Sequence, residues 1–227
     1  NAASTGVGTN RGLVAIGRSA GNDKTSGDNC IFIGLDAGSN VTSGADSIFI
    51  GATAGDGHDT EGNNLGIGTA ALGGAVAGGE NNVAVGNLTL DALTSADSNT
   101  AVGYTAGTAI TTGGSNTVIG RGAGDAITDG LNNTLIGNSV NSASNSANAI
   151  GLGHAITSSS DFFKFGKASN VVSNNFTANA SWSRSSDERK KTNIKNSTLG
   201  LNFINELRPV TFNWKPNSEF PETFEDY

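Results

Sequence analysis

The sequence predicts an all-β fold, a β-solenoid or β-roll of stacked 17-residue coils that assembles as a homotrimer, followed by a small α+β C-terminal piece. Three observations carry this expectation. Aliphatic triplets ending in glycine recur at a fixed spacing, the segments between them are short and rich in Gly, Asn, Ser and Thr, and the composition changes abruptly after the last repeat. The boundaries read as a shaft over 1–155, capping and transition strands over 156–184, and a separate C-terminal part over 185–227.

The shaft opens with Val14-Ala15-Ile16-Gly17, Ile31-Phe32-Ile33-Gly34 and Ile48-Phe49-Ile50-Gly51. Leu65-Gly66-Ile67-Gly68, Val83-Ala84-Val85-Gly86 and Thr100-Ala101-Val102-Gly103 follow. The series closes with Thr117-Val118-Ile119-Gly120, Thr134-Leu135-Ile136-Gly137 and Asn148-Ala149-Ile150-Gly151. The terminal glycines are spaced 17, 17, 17, 18, 17, 17, 17 and 14. An Ala-Gly pair comes three residues later in many copies, as at Ala37-Gly38 and Ala123-Gly124, and then a polar turn such as Thr42-Ser43-Gly44.

A helix pair or propeller blade needs a period of about 33 to 50 residues, so this repeat is neither. One such unit buries almost nothing alone. Stacked on its neighbours, it pairs its backbone above and below, and its Ile and Val side chains line up in a continuous interior column. The glycine after each triplet fits a position needing positive φ or close backbone approach, and the alanine suits a tight interior. Nine coils at about 4.8 Å per strand give a shaft on the order of 40 Å long. Its core is thin. With no disulfide available, oligomerisation is the remaining staple, and a threefold bundle with a second apolar column facing its axis supplies it.

Composition excludes other classes. Gly is 33 of 227 residues, but three prolines and no every-third-residue glycine rule out collagen. A charged fraction of 15% beside many Ile, Val and Leu argues against disorder. No apolar run reaches the roughly 18 residues of a membrane span, so membrane insertion is not expected. A net charge of −7 argues against sequence-independent nucleic-acid binding. The single cysteine, Cys30, makes neither an intrachain disulfide nor a thiolate cluster. The chain starts at Asn with no signal peptide and reads as a fragment or processed piece. Residues 1–160 hold 4 basic and 12 acidic side chains, and 161–227 hold 9 and 8, which separates two kinds of polypeptide.

After Gly151 the repeat decays. Phe162, Phe163 and Phe165 form the densest aromatic patch and read as a plug over the open end of the solenoid. Phe176, Ala178, Ala180 and Trp182 alternate as a strand over 176–182. An amphipathic helix is expected over 198–207, with Leu201, Ile204 and Leu207 on one face and Pro209 ending it; Val210, Phe212 and Trp214 then alternate as a strand.

The Val-Ala-Ile-Gly and Asn-Thr-Ala-Val-Gly cores resemble the head repeats of trimeric autotransporter adhesins, and similar repeats in phage tail fibres. The adhesin resemblance implies a left-handed parallel β-roll assembled as a trimer. Further on, Ser186, Asp187, Arg189, Lys191, Ile194, Leu207, Pro209, Val210, Trp214 and Lys215 keep an order and spacing similar to the endosialidase-type intramolecular chaperone. That family is a self-cleaving C-terminal domain of phage tailspikes and fibres, of which this chain would hold the N-terminal part. The resemblance implies that it trimerises, templates folding of the shaft and releases itself by cutting between Ser186 and Asp187. Ser186 would be the nucleophile and Lys191 the general base. A lysine serves as a base near neutrality only if its pKa falls well below about 10.4, which the neighbouring cations Arg189 and Lys190 favour. The activity would be a single turnover, with no cofactor and no metal.

Elsewhere the bland readings prevail. His58 and His154 read as loop residues, and Cys30 as a small buried hydrophobe. Gly66-Ile67-Gly68 lacks the strand–helix context of a nucleotide loop, and Asp125 and Asp129 match no calcium loop. The function that follows is structural: a segment of a trimeric viral tail fibre or spike, located in the virion, whose partners are copies of itself and other virion tail proteins. The alternative is a phage or bacterial surface adhesin, extracellular or at the cell surface, whose repeat loops bind a host receptor or glycan, with 73–80 the best candidate loop. A glycan hydrolase is disfavoured, because the repeat offers no paired carboxylates on an aromatic-lined cleft.

Overall fold

The computed structural model describes residues 11–74 and 78–178. The chain divides into two compact units, Asn1–Trp182 and Ser183–Tyr227, and every described residue lies in the first. That unit is a β-solenoid of nine coils with one strand per coil, three residues long in the first eight. The strands are β1 Val14–Ile16, β2 Ile31–Ile33, β3 Ile48–Ile50, β4 Leu65–Ile67, β5 Val83–Val85, β6 Thr100–Val102, β7 Thr117–Ile119 and β8 Thr134–Ile136. Longer strands follow: β9 Ile150–His154, β10 Phe162–Lys167 and β11 Asn170–Asn175. All eleven form one sheet in chain order. Pairing is parallel from β1 to β10, and β11 returns antiparallel on β10. No helix occurs among the described residues.

Each coil closes because glycine allows it. The glycine after each strand has φ between 128° and 142°, a left-handed region that L side chains rarely adopt. These glycines stack directly on one another: a Cβ built on Gly51 would sit 2.3 Å from the Gly68 carbonyl oxygen. The ninth coil corrects the sequence alignment. Thr134, Leu135 and Ile136 pair with Ile150, Gly151 and Leu152, so Gly153 belongs to the glycine column. Gly151 takes the strand centre instead, and the last interval is 16 residues rather than 14.

The interior column is not built from the Ile and Val pairs, contrary to the sequence expectation. Alternate strand residues point to opposite faces, and the middle residue points in. Phe32, Phe49, Ala84, Ala101, Val118 and Leu135 have no solvent exposure, while their strand neighbours are half-buried or exposed. Size is compensated inside four of the coils. Where the centre is Phe32 or Phe49, glycine stands six residues on, at Gly38 and Gly55, where a Cβ would strike the ring at 2.8 Å and 2.4 Å. Where the centre is Gly66 or Ala84, the same position holds buried Leu72 or Leu90. Those leucines adopt φ of 54° and 52°, a strain of roughly 1–2 kcal/mol each that their burial offsets. The small alanines Ala20, Ala37, Ala54, Ala106 and Ala123 are fully buried, as expected.

Two residues before each strand centre, on the same face, runs a ladder that the sequence reading did not identify. Asn64, Asn82, Asn99, Asn116 and Asn133 are buried and spaced 18, 17, 17 and 17. Each side-chain oxygen accepts from the backbone N–H and the amide of the next Asn, as at Asn116 to Asn133 (3.0 and 2.9 Å). Each of Asn82, Asn99, Asn116 and Asn133 also donates to a carbonyl across the coil, as Asn116 does to Gly130 (2.8 Å). Ser47 and Cys30 occupy the same column towards the N-terminus, where Ser47 Oγ accepts from the Asn64 N–H at 3.2 Å. The burial expected of Cys30 is therefore observed, in the slot that the following coils fill with Ser47 and the asparagines. The polar turns pair in the same periodic way: the N–H groups of Thr111, Thr112 and Gly113 all donate to the Thr128 carbonyl.

At the C-terminal end Phe163 and Phe165 stand in register with Ile150 and Leu152, and so continue the outer face of the sheet. Lys164, between them, donates to the Thr157 carbonyl at 3.0 Å. Residues 176–178 form a turn rather than the start of a strand; the rest of that expected strand, the helix over 198–207 and the strand over 210–214 lie outside the described residues.

Candidate functional site

The outward side chains of the sheet form two parallel columns. The third strand position runs Ile16, Ile33, Ile50 and Ile67, then Val85 and Val102, and continues through Ile119, Ile136 and Leu152 to Phe165. Val172 of β11 extends it by one more strand. The first position runs from Val14, Ile31 and Ile48 to the threonines Thr100, Thr117 and Thr134, then to Ile150 and Phe163.

No side chain in either column is charged from β1 to β10. Ile16 is 58% exposed, Ile136 38% and Phe165 40%. A stripe two side chains wide over ten or more strands, at about 4.8 Å per strand, is about 50 Å long and of order 500 Å². That is at the upper end of what monomeric proteins leave uncovered. The glycine column borders the stripe on one side and removes side chains that would hold another surface away.

The chemistry-bearing side chains are dispersed. Among the described residues no three His, Cys, Asp or Glu side chains converge to hold a metal ion, and no helix is long and apolar enough to cross a membrane. Asp125 accepts from the Asn141 amide and Asp129 from the Thr128 hydroxyl, so both serve turn geometry. His154 is exposed at the end of β9.

His58 lies between β3 and β4, as expected of a loop residue, but it is fully buried, with its ring 5.0 Å from that of Phe49. Lys24 is buried likewise, its amine donating to the Gly44 carbonyl. Both stand in a column where other coils place Val41, Leu93, Ile110 and Ile127. The 17-residue alignment held the signal for this: His58 falls in register with Val41, one coil earlier.

Ser186, Asp187 and Lys191, the cleavage residues implied by resemblance, lie outside the described residues. No curated protein and no solved structure matches the chain. A family model described as the chaperone of endosialidase matches residues 186–226, beginning at the serine assigned as nucleophile and ending one residue before the last.

Proposed function

We propose that this chain is a segment of a trimeric phage tail fibre or spike, in which the solenoid is the shaft and residues 185–227 open an intramolecular chaperone that drives trimerisation. The observation that carries this reading is the uncharged outer face of the sheet. A solenoid needs its inward column to fold, but no strand among the described residues packs on the outward one. Burying it against two other copies removes the apolar surface from water at roughly 25 cal/mol per Å². It also adds a second core to a coil whose own core is a few side chains wide. Identical copies bring identical strand spacing, so the columns match along their whole length. The chaperone family match supports the reading, because a shaft that is stable only as a bundle benefits from a module that gathers three chains first.

Ile119→Glu tests it. The substitution places a charge on the outer face and leaves the coil interior untouched. Light scattering of the unmodified chain is expected to give a trimer, and Ile119→Glu is expected to shift it to monomer or to block assembly. A stable folded monomer from the unmodified chain would overturn the proposal.

The C-terminal module is proposed to release itself once. Ser186 Oγ, its proton taken by Lys191, bonds to the carbonyl carbon of the Ser186–Asp187 amide as the C–N bond breaks and Asp187 leaves with that proton as an amine; water then opens the ester, leaving a carboxylate on Ser186 and its hydroxyl restored. In a chain carrying the whole C-terminal domain, Ser186→Ala is expected to leave one uncut band on a denaturing gel. Unchanged cleavage in that variant sinks the assignment.

A further inference from the structure

The third coil differs from its neighbours in what it buries. In the column that Val41, Leu93, Ile110 and Ile127 fill with aliphatic side chains, it holds the imidazole of His58, which has no solvent exposure. Neither ring nitrogen has a hydrogen-bond partner among the described residues. The Leu72 backbone acts on the ring in the direction that favours its protonated form. The ring of Phe49 lies against it at 5.0 Å and 53°. Glu61 is the charge that acts on His58, and it is itself 5% exposed. Its carboxylate accepts from the N–H groups of Asp59 (2.9 Å), Thr60 (3.1 Å) and Gly78 (2.9 Å) and from the Thr60 hydroxyl (3.3 Å). Asp56, on the same coil, feels Asp36 of the coil before.

We propose that this coil is an acid-sensitive weak point in the shaft: protonating His58 puts a cation among apolar side chains, and the third coil opens before the coils on either side. The energetics agree with the geometry. Burial pushes the His58 pKa down to about 4, against the opposing pull of Glu61. Burial pushes the Glu61 carboxyl up, but the N–H donors and His58 together outweigh it and hold the pKa below the usual value. Asp56 is raised, by burial first and by Asp36 in addition.

The sign follows from proton uptake. Unfolded His58 binds a proton as pH falls through about 6.5, and folded His58 does so only near 4, so the stability it contributes is complete above pH 6.5 and lost towards 4. Between pH 7.5 and 4.5 the unfolding equilibrium should rise roughly 70-fold more in the unmodified chain than in His58→Leu. The leucine copies what Leu93 supplies to the same column.

The test is urea unfolding of the full chain and His58→Leu at one protein concentration across that pH range, with hydrogen exchange of both at each pH. Expected are a pH slope that shrinks in His58→Leu, and excess acid-induced exchange confined to the amides of β3 and β4. Equal slopes overturn the proposal, as does excess exchange spread evenly over all coils. Should His58→Leu fail to fold, the NMR titration of His58 in the unmodified chain decides, its signal assigned against a His154→Gln variant. A midpoint near 4 supports the weak point, and one at 6 or above overturns it.

Discussion

Gly120→Ala is expected to remove more than about 4 kcal/mol of stability, while Gly122→Ala, in the same coil, removes about 1. Both glycines have positive φ, but 61° lies in the αL well that L residues can enter and 129° in a region nearly confined to glycine, so torsion and space act together. A Cβ on Gly120 would sit 2.4 Å from the Gly137 carbonyl oxygen and 2.6 Å from its carbon, backbone against backbone, with no rotamer to relieve the clash. A Cβ on Gly122 first meets the Asp125 carboxylate at 3.4 Å, ordinary contact with a mobile group. Relief at Gly120 would require parting β7 from β8, which breaks the hydrogen bond from the Gly137 N–H to the Ile119 carbonyl (2.7 Å). Urea unfolding followed by circular dichroism measures both variants. Similar losses at the two positions would show that the glycine column is not held by the stacking of its neighbours.

The second large effect belongs to the asparagine ladder. Asn116→Ala is expected to cost about 3 kcal/mol, since it strands several buried groups at once. The Asn133 N–H and amide lose the oxygen they share, the Gly130 carbonyl loses a donor at 2.8 Å, and Asn99 Oδ1 loses one at 3.1 Å. Surface asparagines in the same coils should be nearly silent by comparison. Asn116→Asp should be worse at neutral pH, because a carboxylate faces the Gly130 carbonyl and Asn99 Oδ1 without a proton to donate. Protonated, it donates one bond. Its folded pKa therefore lies above its unfolded value near 3.9, and the variant regains stability as pH falls and loses it as pH rises. The check is the difference in unfolding free energy between Asn116→Asp and the unmodified chain at pH 4.5 and 7.5. A difference that grows on acidification would contradict the ladder geometry.

Some of this was legible residue by residue. The glycine after each triplet announced its backbone requirement, because no other side chain tolerates that φ with a carbonyl 1.7–2.6 Å from where Cβ would be. Ala37 and Ala123 announced a tight interior for the same steric reason. The ladder was not legible. A polar residue before a strand reads as solvated, and Asn116 is buried only because Asn99 and Asn133 are stacked one coil away on either side. The burial of His58 was not legible either: it sits in the loop that Gly57 and Asp59 announce, and its place inside shows only once its register with Val41 is fixed.

The sequence by itself determined the coil: its 17-residue length, the position of its turns and the closeness of its stacking. Each of these is a local demand on φ or on volume, and local demands leave a mark at the residue that meets them. Only the tertiary structure decided which side of each strand became core. Ile48-Phe49-Ile50 is apolar at all three positions and carries no period-two signal. The face is set by where the chain closes around Asn64, Phe49 and the buried alanines, and that closure turned the isoleucines outward. The surface they form, uncharged and left open by the described residues, is the feature on which the proposed function rests.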